Sequence, residues 1–173
     1  EGENKLAAQV FKWTSSSWCE DQDFFRFSGI YRDVYLYAIP EVHVSDVKIQ
    51  TLLDDTFTKA DLVIDTKATK AGKVKITLSK DGKELQSVEE TLAEESQYVM
   101  KVERPELWSA ESPVLYDLLL EVMDENGQVT EVIPQRVGFR RFEMKDSIMM
   151  LNGKRIVFKG VNRHEFSSVS GRV

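Results

Sequence analysis

The chain has 173 residues and carries 29 acidic against 23 basic side chains, for a formal charge of −6. That length suits one ordinary domain with parts of its neighbours, and the acidic balance argues against a phosphate-binding surface, so no nucleic-acid partner is expected. Cys19 is the only cysteine, which excludes an intrachain disulfide; it is expected to be an ordinary half-buried thiol. The longest apolar run, 114–123, is broken by Asp117 and Glu121 and falls short of the ~20 residues of a membrane helix, so no membrane partner is expected. The start Glu1-Gly2-Glu3-Asn4 lacks the basic and apolar regions of a signal peptide, which makes the cytoplasm the default location.

In chain order, residues 1–40 hold Trp13, Trp18 and a dense aromatic run from Phe24 to Tyr37, a pattern of a neighbouring domain's end. From Glu41 onward the pattern is alternation. Strands are predicted at Val42-Val44-Val47-Ile49, Ala60-Leu62-Ile64, Val74-Ile76-Leu78, Leu85 to Val88, Tyr98-Met100-Val102, Leu118-Leu120-Val122 and Val132 to Phe139. Asp81-Gly82 separates two such runs, and both residues tolerate the positive φ of a tight hairpin turn. Asn126-Gly127 follows Tyr116 to Met123 in the same way, and Asn152-Gly153 separates Ile148 to Leu151 from Ile156 to Phe158. The stretch Glu89 to Gln97 has almost no apolar face and reads as a strand end and loop rather than a helix. Short strands without intervening helices favour an all-β fold, an immunoglobulin-like antiparallel β-sandwich of about seven strands over residues 41–143. Residues 144–173 then hold one hairpin and a polar tail.

Three constellations are candidates for chemistry. Glu20-Asp21-Gln22-Asp23 precedes Phe24-Phe25-Arg26-Phe27; carboxylates beside aromatic rings suit a sugar or a hard cation, and equally a solvated acidic loop. The apolar stretch Ile156 to Phe158 delivers Gly160-Val161-Asn162-Arg163-His164-Glu165. At the C-terminal end of a barrel strand such a loop is an active-site position, where His164 could stabilise a transition state; its plain alternative is a polar loop satisfying backbone groups. Trp108 and Tyr116 lie between Pro105 and Pro113 and suit a sugar platform or, more simply, core packing at a sheet corner. The second histidine, His43, sits among strand residues and reads as structural.

Taken together and in order, these segments resemble one family. Glu20 to Val34 closely resembles the segment that ends the sugar-binding domain of family 2 β-galactosidases. Pro105 to Tyr116, Gly138-Phe139-Arg140, Leu151-Asn152-Gly153-Lys154 and Gly160 to Glu165 follow in the family's order and at similar spacings. The resemblance implies three parts: the C-terminal end of a jelly-roll sugar-binding domain over 1–40, the sandwich over 41–143, and the first hairpin of a TIM-barrel catalytic domain over 144–173. It also implies roles in a longer parent enzyme. Asp23 matches an aspartate that contacts galactose and a bound sodium ion, and His164 matches a histidine that stabilises the transition state.

Family members cleave terminal β-linked sugars with retention, using two glutamates, which the resemblance places downstream of this chain. The chain is therefore expected to be catalytically silent, without a cofactor of its own, while the parent binds sodium and magnesium, acts on β-galactosides and is a homo-oligomer. The tail Phe166 to Arg172 departs from the histidine-rich continuation of some β-galactosidases. A β-glucuronidase or β-mannosidase parent is the alternative within the family. A free-standing immunoglobulin-like binding module, or a structural domain without a ligand, is the alternative outside it.

Overall fold

The computed structural model describes residues 2–19, 29–30, 32–162 and 167–169. Two compact units divide the chain, one of residues 38–159 and one of residues 1–37 with 160–173. Asp23 and His164 both lie outside the described residues.

In the larger unit, seven strands form the expected sandwich: β1 Val44–Leu53, β2 Lys59–Ala68, β3 Gly72–Lys80, β4 Lys83–Leu92, β5 Glu95–Glu103, β6 Tyr116–Met123 and β7 Val129–Val137. They pair antiparallel in two sheets, β1-β2-β5 and β4-β3-β6-β7. The fourth strand thus joins the third, sixth and seventh, where a constant-type immunoglobulin domain places it with the first, second and fifth.

Period-two alternation builds the core. Val74, Ile76 and Leu78 of β3 are buried while Lys73 and Lys75, on either side of Val74, are exposed. The register sets Val74 opposite Val122, Ile76 opposite Leu120 and Leu78 opposite Leu118, so one sheet face is continuous hydrocarbon. Leu62, Ile64, Tyr98 and Met100 supply the facing layer from the other sheet. Each such side chain contributes roughly 1.5–3 kcal/mol on burial. Pro134 sits in β7 opposite Leu119, which a sheet accepts because β7 is an edge strand and needs no outward donor there.

The turn chemistry is visible in the backbone. Asp81 and Gly82 have φ of 50° and 77°, the paired positive values of a tight hairpin turn. Glu89 to Gln97 resolves into the end of β4, a two-residue connection at Ala93-Glu94 and the start of β5, so the loop is shorter than its polar composition suggested.

Beyond the sandwich the structure differs from the expected single hairpin. A three-stranded sheet, ordered β10-β9-β8, is formed by β8 Phe142–Lys145, β9 Ile148–Leu151 and β10 Lys154–Arg155. The first of these strands carries no turn signal in the sequence, because its turn is Asp146-Ser147 (φ 50° and 62°) rather than a glycine-bearing pair. The returning strand after Asn152-Gly153 is only two residues long, and Ile156 to Phe158 is not a strand.

In the smaller unit the regular structure among the described residues is one helix, α1 Ser15–Cys19. Trp13 and Trp18 stack with centroids 6.0 Å apart. Leu6, Phe11, Trp18, Val34 and Leu36 are exposed, and Cys19 is exposed rather than half-buried. No helix among the described residues is long and apolar enough to cross a membrane.

Candidate functional site

Of the three sequence constellations, the Trp108–Tyr116 segment is the one whose surroundings are described. Tyr116 opens β6, is 4% exposed, and meets Phe139 edge-on at 4.9 Å. Its hydroxyl accepts a hydrogen bond from the Glu106 amide at 2.8 Å, as a tyrosine corner ties the fifth-to-sixth connection of a sandwich. The Trp108 amide donates to the Phe139 carbonyl at 2.9 Å. A Cβ at Gly138 would stand 3.0 Å from Trp108 Cβ, so a side chain there would crowd the indole and make it give by a few tenths of an ångström. Arg140 lies 4.5 Å over the indole ring, a cation–π contact that occupies the face a sugar would need. Tyr116 is a packing residue, and Trp108, half-buried, packs against Arg140 and Gly138.

The same end of the sandwich holds the small sheet. Asn152 sits in the β9–β10 turn at φ 50°. Its backbone amide donates to the Arg141 carbonyl and its side-chain carbonyl accepts the Arg141 amide, both at 2.9 Å. The carboxamide Nδ2 of Asn152 donates to the Trp108 carbonyl at 3.0 Å. Gly153 follows at φ 73°, with room for a Cβ denied by Phe57 Cε2 at 2.8 Å.

Arg141 spreads its guanidinium 4.5 Å over the Phe57 ring. Its Nη1 donates to the carbonyls of Leu53 and Asp54 at 3.3 Å and to Asp55 Oδ1 at 3.0 Å, while Nη2 stands 3.4 Å from Glu143. Below it the Asp54 carboxylate organises the β1–β2 loop. The Thr56 hydroxyl and the Lys59 and Thr58 amides donate to it, and the Thr56 hydroxyl bond, followed by the Lys59 amide, holds its pKa down at about 2.

At the other end of β1, His43 Nδ1 meets Glu131 Oε1 at 2.8 Å, and Glu131 Oε2 accepts the Val44 amide at 2.9 Å. This contact ties the start of β1 to β7 across the two sheets, a structural use of the histidine. Among the described residues no group of three or more His, Cys, Asp or Glu is placed to hold a metal ion. The described chemistry is that of a mount: it fixes one small sheet on the end of a rigid sandwich.

Comparison with known proteins matches one family along the chain. Sequence models match residues 42–140 to "Glycosyl hydrolases family 2", residues 1–40 to its sugar binding domain and residues 142–173 to its TIM barrel domain. A β-galactosidase of Halalkalibacterium halodurans is 48% identical, aligned over 100% of this chain and 18% of its own length. One from Clostridium acetobutylicum is 49% identical over 99% of this chain and 20% of its own length. The chain thus spans about a fifth of the length of these curated relatives.

Among solved structures, apo β-glucuronidase 3 of Bacteroides uniformis superposes with a TM-score of 0.73 at 32% identity, over 88% of this chain and 20% of that one. The Ruminococcus gnavus β-glucuronidase in complex with D-glucuronic acid gives 0.70 at 26%, over 87% and 25%. The chain belongs to the glycosyl hydrolases of family 2.

Proposed function

We propose that this chain is the sandwich-centred part of a retaining β-galactosidase that hydrolyses terminal non-reducing β-D-galactosides such as lactose. One observation carries the reading: identity of 48% and 49% to β-galactosidases across the whole chain, against 32% and 26% to the β-glucuronidases. In such an enzyme residues 1–40 close the jelly-roll, 41–143 form the sandwich, and 144–173 open the catalytic barrel. The sandwich braces the barrel against the sugar-binding domain.

Hydrolysis with retention needs two carboxyl groups about 5–5.5 Å apart, one nucleophile and one acid/base. In this reading both glutamates come from barrel strands beyond the chain, which by itself turns over nothing. Asp23 contacts the galactose, and His164 donates to the sugar as charge develops in the transition state. Sodium at Asp23, and magnesium, belong to the same reading, and no catalytic step is assigned to either ion. The enzyme is a cytoplasmic homo-oligomer.

A second reading, a β-glucuronidase, is favoured by the TM-score of 0.73 to the Bacteroides uniformis enzyme. The longer enzyme that contains this chain, offered aryl β-galactoside, β-glucuronide and β-mannoside, decides between them. A kcat/KM highest for the galactoside supports the proposal, and one highest for the glucuronide replaces it with the second reading.

A further inference from the structure

Resting on that reading, we infer that Asn152 and Arg141 are positioning residues for catalysis, acting by fixing the direction in which the chain leaves the sandwich for the barrel. The starting point is an excess of attachment. A sheet of strands four, four and two residues long has little stability of its own, and the seven-stranded sandwich has a complete core without it. Yet its last turn is joined to three separate segments. Asn152 binds Arg141 twice through main and side chain, binds the Trp108 carbonyl, and leaves Gly153 against Phe57.

Arg141 adds a second attachment point immediately before β8. Its guanidinium is held in one orientation by the Phe57 ring and by the Leu53 and Asp54 carbonyls, which a flexible cation could not satisfy together. The loop receiving it is itself shaped, with Phe57 at φ 58° and Asp54 accepting the Thr58 and Lys59 amides. Thus both ends of the β8–β9 hairpin are anchored on the sandwich, and neither can shift alone.

The stretch that follows inherits this placement. The Ile156 amide donates to the Met149 carbonyl at 3.0 Å, and the Phe158 ring lies 6.4 Å from that of Phe142. In sequence this stretch leads to Asn162-Arg163-His164, and residues 142–173 match the family's barrel model. An offset at Asn152 would therefore be passed to residues 156–158, and along the chain toward the part of the enzyme that this segment leads into. A shift near 1 Å can cost about 10²-fold in rate when it reaches reacting groups.

The test uses the longer enzyme with Asn152→Gly, which removes both side-chain bonds but keeps a residue at ease at positive φ. Arg141→Lys is the companion, keeping the charge and losing the planar fork. Val74→Ala, in the sandwich core, is the control for stability alone. The expected result for both variants is a kcat lower by about tenfold or more, with KM within about twofold and a melting temperature no lower than that of Val74→Ala, whose kcat holds. Wild-type kcat in Asn152→Gly and Arg141→Lys, or a fall in kcat that tracks melting temperature in all three variants, overturns the proposal. If the unsubstituted enzyme prefers the glucuronide, the galactoside reading fails while the positioning role is read on that substrate instead.

Discussion

Asp54 shows how one side chain can hold a loop. Its carboxylate accepts from Thr56, Thr58 and Lys59, and those donors favour the ionised form, lowering its pKa from 3.8 to about 2. A carboxylate depressed in the folded state adds stability that is present above its unfolded pKa and lost as pH falls through the folded one. The window therefore runs from near pH 4 down to near pH 2. Asn at this position keeps an acceptor for the amides but does not titrate. The melting-temperature advantage of the wild type over Asp54→Asn is expected to be constant above pH 4 and to shrink toward pH 2; an advantage unchanged at pH 2 would show that the loop does not depend on the ionised form.

At the scale of the element, turns determine what could be read from sequence. Asp81-Gly82 and Asn152-Gly153 announce hairpins because both residue types accept positive φ, and both turns have it. Asp146-Ser147 makes the same turn with a serine at φ 62°, so β8 was hidden behind a pair without the usual signal. A serine in that conformation carries a Cβ strain that glycine lacks, on the order of 1 kcal/mol. Ser147→Gly should therefore slow amide exchange in β8 and β9 by about fivefold, and unchanged exchange would mean that the strain is relieved elsewhere. The seven sandwich strands were legible for the opposite reason: their burial follows period two, as in the Tyr116-Leu118-Leu120-Val122 row of β6.

Over the whole molecule, long-range contacts were the illegible part. The sequence placed Trp108 and Tyr116 at a sheet corner, and the structure finds them there, but it held no sign that Arg140 would cover the indole or that Arg141 would reach the β1–β2 loop. The Arg141 contacts join residues 87 and 88 positions apart, a separation at which neither periodicity nor turn chemistry speaks. The sequence motifs at Asp23 and His164 lie outside the described residues, so their proposed roles rest on the resemblance.

In the proposed function this chain mounts the catalytic part of a β-galactosidase without supplying its catalytic carboxylates. Hydrolysis of an aryl β-galactoside, measured side by side for the longer enzyme and for the 173-residue chain, tests it most directly. Turnover by the longer enzyme and none by the chain is the expected result. Turnover by the chain alone, or none by the longer enzyme, would contradict it.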